Sequence, residues 1–386
     1  MGPGGRNKMA EKKKLRKGFT TGAASAAAAK AALETLAAWQ QEGGEWNDHI
    51  PARVRIDFLC EGHIDIPVES VVCDSPTTAV ARVIKDAGDD PDITHKALIG
   101  ARVSWDPDAG DAPLQVKISG GEGVGRVTKP GLELPVGEPA INPGPRKMIH
   151  AAVAHVQNMF PRVVGGTIEV EIFVPRGREL AEKTLNARLG ILDGISILGT
   201  TGIVRPLSHD AYIATIKASI GVARAREIKD LFFTTGRRSE RFAMEMFPDH
   251  GEEAFIQTGD FFKAALDAAA DTGGVSRITY VVFFGKAVKM ALGFPHTHAA
   301  KSELTLKKLA RWTREITGDE DLTREVSEAN TARHAFTLFY PKYPELMEYV
   351  GRQVVVQASA FAAPSVEIRV MILDFDGHLA FDSHLS

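Results

Sequence analysis

Four short loops in the second half of the chain carry glycine together with threonine or charged residues. They are Gly199-Thr200-Thr201-Gly202, Thr234-Thr235-Gly236, Thr258-Gly259-Asp260 and Gly285-Lys286. Glycine lets a ligand approach the backbone, and threonine hydroxyls and free helix N-terminal amides donate hydrogen bonds. Loops of this kind hold anionic or nucleotide-like ligands. None of them is G-x-G-x-x-G or G-x-x-x-x-G-K-[ST], so the standard dinucleotide and P-loop patterns are missing. A second set of residues is cationic: Arg16, Lys17, Arg126, Lys129, Arg146, Lys147 and Arg205 lie in or beside glycine-bearing segments. If these segments converge they form a basic cleft for a ligand with several carboxylates, which arginine grips in bidentate fashion. The bland reading leaves at least half of them as ordinary surface charges.

The segment 119–146 is the densest in signals, with seven glycines and five prolines in its 28 residues. It holds Glu122, Arg126, Lys129, Glu138 and Arg146. That composition excludes a regular helix or a central strand. A shaped functional loop and an irregular surface connection remain open from composition alone. The acidic stretch Asp86, Asp89, Asp90, Asp92 and His95 could hold a hard metal. Pro91 breaks the calcium-loop pattern, and an Asx-capped turn fits better. His296 and His298 could ligate a metal, but no other histidine or cysteine stands at a useful spacing. They read as a polar loop or a substrate contact. No resident metal is expected. Neither Cys60 nor Cys73 has a nucleophile's setting, and no G-x-S-x-G or serine triad occurs.

Composition narrows the classes further. The chain has 386 residues, 44% hydrophobic and 25% charged, with a net charge of −3. That suits two or three globular domains and gives no reason to expect nucleic acid. No apolar run reaches the roughly 20 residues that span a bilayer. Two cysteines exclude a disulfide framework and suit a reducing cytoplasm. The basic N-terminus has no apolar core behind it, so it reads as a flexible tail over 1–14.

The elements that must position these residues fall into two rhythms. An alanine-rich helix over 20–41 starts near Thr20 and Thr21, whose small neighbours admit a close ligand or backbone. A hairpin flanks Glu61-Gly62, a helix is expected over 75–86, and strands over 96–105, 114–118 and 166–174, with a helix over 142–159. This half, 15–180, is α+β. In the second half, apolar runs at 194–198, 230–233, 254–256 and 277–283 each lead through a glycine loop into a helix. That is the pattern of a parallel sheet, and right-handed crossovers put all four loops at one edge. Helices over 323–338 and 344–362 and a strand over 366–374 complete a Rossmann-like α/β domain over 181–386.

Several motifs together resemble one family. They are LRKGFTTG from Leu15, DAGDDPDITH from Asp86, GGEGVGRVTKPGLELPVGEPAINPGPR from Gly120, TLNARLGILDGISILGTTGIVRPLS from Thr184 and TGDFFKAALDAA from Thr258. The chain is similar, over about 15–304, to the cobalt-precorrin-5B (C1)-methyltransferase family (CbiD). The resemblance implies transfer of a methyl from S-adenosylmethionine to ring carbon C1 of a corrin precursor in cobalamin biosynthesis. Cobalt would arrive inside the substrate. Such a reaction needs alignment and a dry pocket more than a protein nucleophile.

The roles this implies are expectations. Gly199, Thr200, Thr201, Gly202, Thr234, Thr235, Gly236, Thr258 and Asp260 line the methyl-donor pocket, with Asp260 on a ribose hydroxyl. Thr20, Thr21, Arg126, Lys129, Arg146 and Arg205 bind the corrinoid. Glu122 and His298 accept or relay a proton. The chain departs from the family at Ala23-Ala24 (usually Thr-Cys), at Phe283 in a G-H-x-G-K motif, at His296 and Ala299 in N-T-H-S, and at Asp260 and Lys263 in S-N-F-x-G. Competing readings are a non-catalytic tetrapyrrole-binding relative and another α/β enzyme acting on an anionic metabolite. Neither nucleic acid nor membrane is expected as a partner, and a homo-oligomer stays open.

Overall fold

The computed structural model describes residues 15–41, 51–106, 114–161, 166–206, 208–298 and 302–385. The tail over 1–14 lies outside them. The chain forms two compact units. The first holds residues up to Thr128 and Glu133–Ser208; the second holds Lys129–Leu132 and His209–Ser386. The division therefore falls at 208/209 rather than at 180/181. The physical reason is strand pairing. Ile191–Leu192 pairs with Arg126–Val127 and Ile203–Val204 with Gly18–Phe19, so the stretch after 181 is stitched into the first unit.

The first unit is α+β. Its main sheet runs in the order Ser70–Ser75, Thr78–Ile84, Leu98–Asp106, Thr167–Phe173, Gln115–Gly120. Only the last pair is parallel. The helix expected over 75–86 is instead the strand Thr78–Ile84, because its β-branched residues pair along the full length of Leu98–Asp106. The hairpin is Arg53–Asp57 against His63–Pro67. Helix Thr21–Gln41 is buried on nearly all sides, with Ala23 to Ala32 inaccessible apart from Lys30. Alanine makes this possible, since it costs no side-chain entropy and lets the sheet and helix Pro143–Met159 come close. Lys30 survives in this setting by donating its Nζ to Arg55 O at 2.8 Å.

The 119–146 segment is held by its own backbone. Gly125 N donates to Ile195 O, Ile195 N to Gly123 O, and Val174 N to Glu122 O, at 2.7–3.0 Å. Gly123 has φ +71°, and a Cβ there would stand 1.9 Å from Val174 O.

The second unit is built on a five-stranded sheet. Numbered by position in this sheet, the strands are Asp230–Thr234, Phe255–Gln257, Arg277–Phe283, Glu367–Leu373 and Leu379–Asp382, arranged 2-1-3-4-5. The first four are parallel and the fifth is an antiparallel edge. The parallel sheet expected from the alternating rhythm is there, but with 194–198 excluded from it. Alternation sends Leu231, Phe233, Ile278, Tyr280 and Val282 to one face, under helices His209–Ala225, Phe262–Thr272, Phe284–Ala291 and Pro344–Phe361. Phe232, Phe255, Val281, Met371 and Leu373 face helix Arg237–Met246. Burying each such side chain contributes about 1.5–3 kcal/mol. Between Phe284–Ala291 and Pro344–Phe361 lie Ser302–Thr317, Glu320–Glu328 and Ala332–Phe339. The single helix expected over 323–338 is thus broken at Asn330, where the Thr331 hydroxyl caps a new start by accepting from His334 N.

Gly123→Ala should destabilise the first unit by about 2–4 kcal/mol, because both φ and the approach to Val174 O exclude a Cβ. Urea unfolding followed by a probe in that unit checks it, and an unchanged midpoint contradicts it.

Candidate functional site

The first unit gathers some of the expected residues, mostly for structural ends. The Thr20 hydroxyl accepts from Ala23 N and so caps helix Thr21–Gln41. Thr20 N donates to Gly202 O. Thr21 Oγ1 accepts from Leu198 N at 2.9 Å and lies 3.2 Å from Leu198 O. Both threonines are buried. Gly199, Thr200, Thr201 and Gly202 therefore sit beside the start of this helix and not at the edge of the parallel sheet. The expectation that four glycine loops share one sheet edge is corrected to three.

Arg146 is also engaged internally. Its Nε donates to Ile141 O at 2.9 Å and its Nη2 to Glu138 Oε2 at 3.2 Å, which pins the end of the 119–146 segment. Arg126 donates to Gly137 O at 2.5 Å while its side chain stays exposed. Glu122 and Arg205 are exposed in the same unit. Lys129 belongs to the second unit, where its Nζ lies 2.7 Å from Glu253 Oε1 and Arg226 Nη1 lies 2.9 Å from the same oxygen. Burial opposes ionisation of Glu253, yet these two cations hold it below the usual carboxylate range.

The acidic stretch is a turn. Asp92 Oδ2 accepts from buried Lys85 Nζ at 2.6 Å, and its Oδ1 accepts from Thr94 N. Asp86 pairs with Arg16, which holds its carboxyl at about 2. Among the described residues no group of three or more His, Cys, Asp or Glu could hold a metal.

A polar site forms in the second unit, outside the carboxyl ends of its parallel strands. In an open α/β sheet this is where ligands bind, above all where neighbouring connections leave in opposite directions. Here the strand order 2-1-3 makes that point between Asp230–Thr234 and Arg277–Phe283. Thr234, Thr235 and Gly236 leave the first of these strands. Thr235 N donates to Ser239 Oγ, and Gly236 opens helix Arg237–Met246 without a side-chain cap. A Cβ at Gly236 would meet nothing within 4 Å. Its φ of 164° is extended backbone that any residue adopts.

Asp260 organises the next part. Its carboxylate takes the Lys286 ammonium and, on Oδ1, the Thr297 hydroxyl at 2.9 Å. Its carbonyl accepts from Thr297 N at 2.9 Å. Thr258 Oγ1 donates to Thr234 O at 3.1 Å and joins two strand ends. Gly259, at φ +59°, lies against the Tyr212 ring, which stacks on Phe261 at 4.9 Å. His209 stacks on His296 at 4.8 Å, and His298 follows at 6.2 Å from His296. The His296 Nε2 is buried with no hydrogen-bond partner. Burial first, and then His209, His298 and Lys286, push the His296 imidazole down, so it is neutral at pH 7. Burial and the Lys289 ammonium push Lys286 down to about 8.

Thr234, Thr235, Gly236, Thr258, Asp260 and His298 are thus brought into one unit at one sheet edge. His209, Tyr212 and Thr297 escaped the sequence reading as site members, and Lys286 was read only as part of a glycine loop. The histidines flanking Thr297 and the lysine in the first turn of a strand-following helix were the available signals.

The fold is that of a two-unit mixed α/β protein with polar residues gathered at the strand ends of its parallel sheet. A family model described as CbiD matches residues 8–206, and one described as CbiD, C-terminal domain, matches residues 296–384. The chain is 41% identical to a Nitratidesulfovibrio vulgaris protein over 379 residues, 97% of this chain and 93% of that one. It is 44% identical to a Priestia megaterium protein over 323 residues, 83% of each. Both relatives are named cobalt-precorrin-5B C(1)-methyltransferase. A crystal structure of a cobalamin biosynthesis protein (cbiD) from Archaeoglobus fulgidus aligns at 26% identity with a TM-score of 0.37, over 70% of this chain and 78% of that one. The chain belongs to the CbiD family. No helix among the described residues is long and apolar enough to cross a membrane.

Asp260 is the acid paired with the Lys286 ammonium, and an adjacent carboxylate favours the charged amine. Asp260→Asn should lower the Lys286 midpoint from about 8, by one unit or more. NMR titration of the lysine amine reads this directly; a midpoint unchanged or raised contradicts the arrangement.

Proposed function

We propose that this protein is a cobalt-precorrin-5B C1-methyltransferase that uses S-adenosylmethionine and works in cobalamin biosynthesis. The observation that carries the reading is 41% identity across 97% of the chain to a relative bearing that name. The non-catalytic reading and the unrelated-metabolite reading have no comparable support. Cobalt belongs to the substrate.

The donor site we place at the second unit's sheet edge, whose residues suit such a group. Gly236 faces open space, the helix behind it is uncapped, and the buried His296 Nε2 lacks a partner. When bound, the donor supplies an electrophilic methyl on a sulfonium. Asp260, fixed by Lys286 and Thr297, is the acceptor for ribose hydroxyls. Thr235 and the Gly236 backbone serve the polar remainder. Tyr212 and Phe261 exclude water from one side. Lys286 shares its charge with Asp260, and His296 is uncharged, so a cationic ligand meets little net repulsion. In this limited sense the second unit acts as a Rossmann-like nucleotide-binding domain. Its 2-1-3-4-5 order still differs from the 3-2-1-4-5-6 order of the classical fold.

In the first unit, Arg126 and Arg205 are assigned to substrate carboxylates and Glu122 to proton transfer; in the second, His298 is assigned to proton transfer. Thr20, Thr21, Arg146 and Lys129 are assigned to holding the local backbone and charge through the contacts described above, rather than to direct substrate contact.

Incubation with the corrin precursor and methyl-labelled donor should give a product heavier by one labelled methyl at C1. Absence of transfer by folded protein overturns the reading. Asp260→Ala should raise KM for the donor about tenfold to hundredfold, and Arg126→Ala should raise KM for the tetrapyrrole while sparing the donor. Equal loss of both by Arg126→Ala contradicts its role.

A further inference from the structure

A cationic and aromatic surface lies beside the donor edge, and none of the roles above uses it. Helix Arg237–Met246 starts directly after Gly236 and carries Arg237, Arg238 and Arg241, all exposed. Arg238 stands over the Phe283 ring at 5.2 Å and bonds to Phe375 O. Arg333 stands over the Phe375 ring at 4.5 Å. The Phe283 and Phe375 rings are stacked, 6.2 Å apart and 6° from parallel. Phe283 ends one parallel strand, and Phe375 lies two residues beyond another. The surface therefore occupies the carboxyl edge of the sheet, on the side of helix Arg237–Met246.

Two of these charges are not spent on acids. Among the described residues, the partners of Arg238 and Arg333 are rings and one backbone carbonyl. Of the two acids flanking Phe375, Asp376 is exposed and Asp374 is turned into its own loop. Its Oδ1 accepts from Asp376, Gly377 and His378 amides at 2.8–2.9 Å, and its Oδ2 meets His378 Nδ1. Arg241 has Glu245 at 3.6 Å, an exposed pair of small worth. Stacking on a ring fixes a guanidinium plane and dehydrates one of its faces, leaving its edge N–H groups for a carboxylate. Several such groups on one surface suit a ligand with carboxylates spaced around its rim.

We propose that Arg238 and Arg333, carried on the Phe283 and Phe375 rings, together with Arg237 and Arg241 on helix Arg237–Met246, bind the peripheral carboxylates of a polycarboxylate macrocycle. The proposal rests on the tetrapyrrole reading above and adds to it a substrate-gripping surface on the second unit. It places that grip on the same sheet edge as the donor residues, so the macrocycle is held by the unit that holds the methyl.

The test uses the full chain and uroporphyrin I as probe, with binding read by fluorescence quenching and donor binding by calorimetry. Arg238→Gln/Arg333→Gln should weaken probe binding at least about tenfold, with donor affinity unchanged. Arg237→Gln/Arg241→Gln, on an exposed helix face, gives the same direction if the first pair unfolds. Arg311→Gln/Arg314→Gln removes equal charge from a helix where both arginines are paired with acids, and should leave binding within about twofold. Wild-type affinity in both folded double variants overturns the proposal, as does equal loss in the Arg311/Arg314 control. If wild type binds no macrocycle and transfers no methyl, the tetrapyrrole reading itself fails. Methyl transfer with unchanged KM in the double variants sinks only the surface.

Discussion

The Asp260 carboxylate is the contact on which the second unit's functional edge depends. Three separate pieces of chain meet there: the turn after the second strand, the helix after the third, and the segment that carries Thr297. Removing the acid would leave a half-buried ammonium without its counter-charge, which costs more than the pair contributes. It also fixes the loop in which His296 stacks against His209. The sheet supplies the platform, but this one acid ties two strand ends and the Thr297 segment together.

The first unit shows a different use of glycine. Its proline- and glycine-rich segment invites the view that glycines leave room for a ligand. At Gly123 the room is already taken, since Val174 O occupies the place where a Cβ would go. The segment is a frame closed by backbone hydrogen bonds, with Arg146 as an internal clamp. What it offers a ligand is the exposed Arg126 on a rigid support. Its middle residues, Lys129–Leu132, are built into the second unit, where Lys129 and Arg226 share the buried Glu253.

Legibility in the sequence followed the range of the interactions. The strands at 230–234 and 277–283 and their glycine loops were readable, because an apolar run, a turn and a helix start are adjacent in the chain. The run at 194–198 has the same local pattern, yet its partners lie in the 119–146 segment and at Thr21 and Gly22. Only long-range pairing separates it from the parallel sheet, and that misplaced both a donor loop and the division between units. The 75–86 stretch was misread for a related reason, as pairing with Leu98–Asp106 outweighed a helix-like spacing. Thr234, Thr235, Gly236, Thr258, Asp260 and Lys286 were placed at one sheet edge by type and position, whereas His209 and Tyr212 reach that edge through ring packing that no short motif records.

The account stands on the claim that the methyl donor occupies the crevice at Gly236. A larger side chain there projects into open space without strain. Calorimetric titration of S-adenosylmethionine into folded Gly236→Leu, beside wild type, tests this most directly. The account predicts binding to wild type and loss of at least about tenfold in the variant, with thermal stability kept. Wild-type affinity in a folded Gly236→Leu protein would contradict it.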